Sequence, residues 1–391
     1  MNPFNKQYLM TAGPTPIPPR VSQVMAEPVR YHRAPAFVAL YERVLGRLPA
    51  IFQSAADTLA FASSGSGAME SAAANLVRPG TRALACSAGK FGERWVGLCE
   101  AFGADLVRYE PGWGARLDPS EIDRLLSEYA GVEVVFATLS VTSTGIVNDV
   151  QAIAEVTGRH GAILAVDAVS GLAAAEIKQD EWGVDVVVAG SQKALMCPPG
   201  LAFASVSEHA LEYAAARPGG RFYFDWQRTA KGQRKSPPSS PFTPAVTLFS
   251  ALDVALSMIE EEGLENVFER HRVLARATRA GVAGIGLELF GDPDERSTVV
   301  TAIELPAGID GGKVPGELRR LGITANGGQD HLKGRILRIA HCGYFGAFDI
   351  LTSLSGLEMV LARLGHDVEQ GAGVGAAQKV FLEAGALAPT A

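Results

Sequence analysis

Lys193 stands in the run Ala189-Gly190-Ser191-Gln192-Lys193-Ala194-Leu195, directly after the segment Val184–Ala189, apolar except for Asp185. A lysine at the end of a buried strand is shielded from water, so its amine can shed a proton and act as a nucleophile. A second apolar run, Ala162-Ile163-Leu164-Ala165-Val166, ends in Asp167. An aspartate and a lysine closing neighbouring strands supply two groups that pyridoxal phosphate chemistry needs: a counterion for the ring nitrogen and an amine for the aldehyde. The plainer reading of Asp167 is a helix cap.

Other candidates follow the same pattern of sitting just beyond a strand. Ser63-Ser64-Gly65-Ser66-Gly67-Ala68-Met69-Glu70 opens a helix, where small residues let backbone N–H groups and hydroxyls converge on a phosphate. A dinucleotide fingerprint fits it poorly, because the third small residue would fall on Glu70. Gly371-Ala372-Gly373-Val374-Gly375-Ala376 matches that fingerprint better but follows a helix, and reads as a flexible tail. Phe91 and Trp95 are both placed to stack on a pyridine ring, although an aromatic there is more often core. Thr142 and Thr144 offer a hydrogen bond to a phenolic oxygen or, equally, form a turn. Arg335 and Arg338 lie three apart on an apparent strand and so face opposite sides, which lets one point inward as a fork for a carboxylate. The segment Ser64–Ser66 carries no cationic side chain, so the nearest unassigned donors are expected in Arg228–Thr243.

These residues need a scaffold of parallel strands joined by crossover helices, an α/β fold. Seven strands are expected, at Thr58–Ala62, Ala83–Cys86, Leu106–Tyr109, Val132–Leu139, Ala162–Val166, Val184–Ala189 and Leu201–Val206. Only Gly190–Gly200 joins the last two, too short for a crossover, so that pair is expected to be antiparallel. Gly219–Pro244 breaks the pattern and reads as a solvated loop rather than a site rim. At 391 residues the chain exceeds one ordinary core. The expected organisation is an N-terminal arm (1–20), a large domain (21–250) and a small C-terminal α+β domain (251–391). Net charge is −7 with no long basic run, which argues against a nucleic-acid partner. No apolar stretch reads as a signal peptide or membrane span, so a cytoplasmic location is expected. The four cysteines lack metal-site spacing, and reduced thiols and no metal are expected.

Taken together, these motifs resemble the class V aminotransferases of pyridoxal phosphate fold type I, in the alanine/serine–glyoxylate (serine–pyruvate) aminotransferase group. The resemblance runs from Ala12-Gly13-Pro14-Thr15-Pro16 through His32-Arg33-Ala34-Pro35-Ala36-Phe37, Thr142-Ser143-Thr144-Gly145 and Val166-Asp167-Ala168-Val169-Ser170 to Arg335-Ile336-Leu337-Arg338-Ile339-Ala340. Its most specific part is Gly190-Ser191-Gln192-Lys193-Ala194 with Pro198-Pro199-Gly200. It implies that Lys193 links covalently to the cofactor, Asp167 pairs with the ring nitrogen, Phe91 stacks and Thr142 bonds the phenolic oxygen. It further implies that Ser64, Gly65, Ser66 and Gln192 hold the phosphate, that Arg338 and Gly13 bind substrate, and that Thr243 reaches the phosphate of a partner subunit in a homodimer.

The expected activity is transamination between alanine or serine and glyoxylate or pyruvate. Because Arg33 is unplaced, aspartate remains open as a donor, and a lyase or cysteine desulfurase of the same fold is the alternative. Desulfurases of that fold resemble the chain less: they carry histidines at the stations held here by Gln192 and Phe91. A family tyrosine expected near Thr243 is missing from Ser239-Ser240-Pro241-Phe242-Thr243-Pro244.

Overall fold

The computed structural model describes residues 6–291 and 296–385. All seven expected strands form one sheet: β1 (Asp57–Ser63), β2 (Arg82–Cys86), β3 (Asp105–Tyr109), β4 (Val134–Thr138), β5 (Ile163–Asp167), β6 (Val186–Gly190) and β7 (Gly200–Val206). Their order across the sheet is β1-β7-β6-β5-β4-β2-β3. Every pair is parallel except the two made by β7, which runs against both β6 and β1. The short Gly190–Gly200 link therefore does what its length required. Because β7 alone is reversed, its first residue, Gly200, lies at the same sheet edge as the last residues of β1, β5 and β6. Ser64, Asp167 and the segment leading to Lys193 are thereby gathered along one edge, the usual ligand side of an open α/β sheet.

The central strands are apolar throughout because helices cover both faces. Val134–Thr138, Ile163–Asp167 and Val186–Gly190 are buried at every position. The helix Gly65–Leu76 lies against the sheet through Ala68, Ala72 and Ala73, whose small side chains allow close approach.

The edge strand β1 is not left open. Gln233 accepts from the Ala60 amide at 3.2 Å and donates to the Thr58 carbonyl at 2.9 Å, satisfying backbone groups that would otherwise template aggregation. Gln233 belongs to a helix, Trp226–Gln233, capped by Asp225 and anchored by fully buried Trp226. The reading of Gly219–Pro244 as a solvated loop is thus corrected: the segment packs an aromatic into the core and seals a sheet edge.

A second, antiparallel sheet has the order β8-β10-β9, with β8 at Val300–Glu304, β9 at Asn326–Gly327 and β10 at Ile336–Ala340. Helices Leu264–Gly284, Ala347–Arg363 and Ala372–Glu383 belong to the same unit. The glycine-rich run at 371–376 is not a flexible tail. Glu358, buried in Ala347–Arg363, accepts from the amides of Gly371 and Gly373 at 2.9 and 2.7 Å and so holds the start of the last helix. A Cβ at Gly373 would meet the Gly281 carbonyl at 2.7 Å and one at Gly284 the Ala372 carbonyl at 2.9 Å, so these two glycines serve close helix packing.

The N-terminal arm ties the two sheets together. Tyr8–Leu9 pairs in parallel with Ile323–Thr324, and the Ala340 amide donates to the Met10 carbonyl at 3.3 Å. The helix Pro19–Met25 then packs on Val246–Glu262.

Candidate active site

A cavity of about 250 Å³ opens at the shared strand edge. Of the residues singled out in the sequence, Gly13, Ser64, Gly65, Ser66, Phe91, Asp167, Gln192 and Lys193 all line it. A larger hollow of about 330 Å³ lies beside helix Leu264–Gly284 and contains neither Lys193 nor Asp167. Volume alone does not mark the chemistry; convergent, perturbed groups do.

Lys193 is buried, and its Nζ donates to the carbonyl of Ala12. Loss of hydration lowers its amine below the ordinary lysine range, with Arg338 and Arg94 pushing the same way and Cys342 and Asp167 opposing. The main chain of Lys193 is fixed as well: its carbonyl accepts from Thr15 Oγ1 at 3.0 Å, and the Gln192 carbonyl accepts from the Thr15 amide at 3.2 Å. Gly13 has φ +132°, and a Cβ there would fall 2.3 Å from Nζ, so only glycine leaves the amine its place.

Asp167 closes β5 with its carboxylate buried. Burial pushes the carboxyl up to about 6, against the Val169 amide, Arg94 and Lys193, which all favour the charged form. Oδ1 accepts from that amide at 2.8 Å. Asp167 thus caps a local turn and also faces the cavity; no helix starts on it. A cation brought into the cavity beside it would relieve a charge the protein has desolvated.

At the other end, helix Gly65–Leu76 starts with Ser64 as its cap, Oγ accepting from the Gly67 amide at 3.3 Å. The first-turn amides and the dipole make this end attractive to an anion. Side chains are excluded from the cradle: a Cβ on Gly65 would meet Val169 Cγ1 at 2.7 Å. Gln192 Oε1 is buried without a hydrogen-bond partner. A cavity with an anion cradle at one end, a buried carboxylate beside it and a buried amine fits pyridoxal phosphate in shape and charge.

The two aromatics separate. Trp95 is fully buried, donates through Nε1 to the Ala137 carbonyl at 3.1 Å and packs against Phe136 with centroids 4.8 Å apart. It is core, whereas Phe91 faces the cavity. Thr142 is buried but does not line the cavity; its carbonyl accepts from Arg338 Nη1 at 2.8 Å. Thr144 Oγ1 turns back to the Val141 carbonyl, the turn-forming role.

Arg338 points inward from β10, whereas Arg335 is exposed in the turn before that strand, so the alternation expected of the pair does not apply. Arg338 Nε donates to the Gly327 carbonyl at 3.0 Å, and burial pulls its guanidinium down to about 10. It bridges the large and small sheets beside the cavity without lining it. Thr243 is exposed and lies away from the cavity of its own chain. Arg33 borders a separate hollow with Pro237–Ser240.

One cavity residue escaped the sequence reading. Arg94 lines the site, donates from Nη1 to Ser66 Oγ at 2.8 Å, and sets its guanidinium 4.9 Å from the Phe91 ring centroid. The expectation that the nearest unassigned donors lie in Arg228–Thr243 is corrected, since Arg94 already bonds Ser66 in the cavity. Spacing held the signal: Arg94 is three residues after Phe91 on the helix Lys90–Ala101, which puts both on one face.

The family model for "Aminotransferase class-V" matches residues 7–338. The chain belongs to the class-V aminotransferases. It is 40% identical to the "Soluble hydrogenase, small subunit" of a Synechococcus species over 96% of this chain and 99% of that protein. It is 35% identical to the serine–glyoxylate aminotransferase of Methylorubrum extorquens over 97% and 96% of the two chains. Among solved structures, the ureidoglycine-glyoxylate aminotransferase of Bacillus subtilis superposes with a TM-score of 0.91 at 32% identity, covering 96% of this chain and 98% of that one. Class-V membership agrees with the α/β architecture and with a cavity built around a buried amine and a buried carboxylate. Among the described residues no helix is long and apolar enough to cross a membrane.

Proposed function

We propose that this class-V aminotransferase moves an amino group between a small amino acid, alanine or serine, and a small 2-oxo acid, glyoxylate or pyruvate. The observation that carries the proposal is the placement of Lys193 and Asp167, both buried, on the wall of one cavity whose far end is a helix N-terminus. Similarity to a serine–glyoxylate aminotransferase along nearly the whole chain supports it. Pyridoxal phosphate, when bound, supplies an aldehyde for the amine and an electron-withdrawing ring.

Each side chain then has a task. Lys193, with its amine already biased toward the neutral form, accepts the substrate Cα proton and returns it as a general acid. Asp167 holds a positive charge on the ring nitrogen by close opposite charge in a dry setting. Phe91 presents an apolar face to the ring. Ser64, Gly65, Ser66 and Gln192 receive the phosphate, and the Thr142 hydroxyl is assigned to the phenolic oxygen. Arg338 offers Nη2, which carries none of its hydrogen bonds among the described residues, to the substrate carboxylate. Gly13 keeps that approach open.

The working unit is proposed as a homodimer in which Thr243 serves the neighbouring subunit's phosphate, in keeping with its exposure on its own chain. A cytoplasmic location goes with this reading. Aspartate is retained as a second donor on the 34% identity to an L-aspartate–glyoxylate aminotransferase, while Arg33, on which the sequence left it open, borders a separate hollow. The test is a panel of amino donors against glyoxylate and pyruvate, following conversion of the bound cofactor to its amine form. Turnover with alanine or serine and an oxo acid is expected; release of sulfide or ammonia without an acceptor would replace transamination by lyase chemistry.

A further inference from the structure

We infer that Arg94 is the cation that neutralises the cofactor phosphate, an assignment that rests on the proposed use of pyridoxal phosphate. The charge balance shows the need. A phosphate monoester carries roughly −1.5 to −2 near neutral pH. A helix N-terminus offers only about +0.5. The loop Ser64–Gly67 adds hydroxyls and amides but no charge, and the chain as a whole is at −7. About 1 to 1.5 negative charges are therefore left unbalanced unless a cationic side chain joins the cradle.

Arg94 meets each requirement. Its Nη1 bonds Ser66 Oγ at 2.8 Å, which places the guanidinium at the phosphate end of the cavity. The Phe91 ring, 4.9 Å from the guanidinium carbon, steadies it from the ring side. No ion pair to a carboxylate engages Arg94 among the described residues, whereas its neighbour Lys90 pairs with Glu93 and Asp330. Two of the cations in the segment raised by the sequence are engaged elsewhere: Arg234 with Asp57 and Glu208, and Arg228 over the Phe222 ring at 4.5 Å. Planar guanidinium geometry also suits two phosphate oxygens at once.

The test compares pyridoxal phosphate with pyridoxal, which lacks only the phosphate. Cofactor-free wild type, Arg94→Gln and Arg94→Lys are titrated with each compound by fluorescence quenching, and inorganic phosphate is used as a competitor. Arg94→Gln is expected to weaken pyridoxal phosphate by on the order of 10- to 100-fold, the range of a lost charged hydrogen bond. Pyridoxal affinity should stay unchanged, phosphate should compete less well, and Arg94→Lys should recover part of the loss. An equal fall for both compounds would make Arg94 a structural residue and overturn the assignment. An unchanged preference for the phosphate, with a raised KM for aspartate alone, would overturn it in favour of a substrate-carboxylate role. Wild type that fixes neither compound on Lys193 after borohydride would instead remove the cofactor reading itself.

Discussion

The carbonyl of Ala12 accepts a hydrogen bond from the amine of Lys193 across a sequence separation of 181 residues. Main chain, not side chain, holds this amine, and a Cβ on Gly13 beside it would fall 2.3 Å from Nζ. Gly13→Ala is therefore expected to fold but to displace Nζ. Borohydride reduction of the cofactor-loaded variant, followed by peptide mapping, should recover much less pyridoxyl label on Lys193 than wild type, with the overall melting transition lowered only slightly. Full labelling of Gly13→Ala would show that the arm is not in contact with the amine.

Asp167 gives a pH signature. Its folded carboxyl titrates at about 6 against an ordinary 3.8, so the native state binds this proton more tightly than the unfolded chain. Stability from this group is full at low pH and is lost as pH rises through that window. Cofactor-free Asp167→Asn keeps the neutral form at all pH and should exceed wild type by about 2–3 kcal/mol at pH 7.5. By pH 4 the difference should vanish, as measured by urea unfolding of the two proteins. The same variant should still bind cofactor yet lose transamination almost entirely, because an amide does not keep the ring nitrogen charged.

The two aromatics of helix Lys90–Ala101 should part company under mutation. Trp95→Leu removes a fully buried indole and its hydrogen bond, and is expected to lower stability by about 2–4 kcal/mol. Phe91→Leu should change stability by less than about 1 kcal/mol while weakening cofactor affinity several-fold. Denaturant midpoints and cofactor titrations on the same samples separate the two roles.

Glu358 supplies a control far from the cavity. Glu358→Gln keeps one acceptor oxygen but loses its charge against the start of the last helix. The expected cost is about 1–3 kcal/mol of stability with cofactor affinity unaltered. A change in cofactor affinity without a change in unfolding would contradict the purely structural assignment.

Much of the fold was legible because its signals are local. Continuous apolar runs such as Val186–Ala189 mark strands buried on both faces, and the short link to Gly200 forces one reversed strand. Asp167 and Lys193 were legible because one ends such a run and the other follows one closely. The arm's role was not, since the contact between Ala12 and Lys193 joins residues 181 apart that no periodicity links. Arg94 was hidden in a helix start whose more conspicuous residues are aromatic. Trp226 lay within a stretch rich in Arg, Lys, Ser and Pro, whose composition speaks for solvent while one indole and Gln233 decide its packing. Likewise, spacing could not tell Phe91 from Trp95: four apart, they share a helix face, and position along the helix decides, Phe91 in the first turn beside the cavity and Trp95 one turn further into the core.

The arm's course has a further consequence. Within a few residues it pairs with Ile323–Thr324, accepts from Ala340 through Met10, receives the Asn326 side chain at the Ala12 amide, and grips Lys193. Any rotation of the small sheet relative to the large one would pull on the same short stretch of backbone that restrains the amine. The state of the lysine and the posture of the two sheets are therefore expected to be coupled. Hydrogen exchange at the Met10 and Ala12 amides should rise in step with any spectral shift of the lysine-bound cofactor when substrate is added.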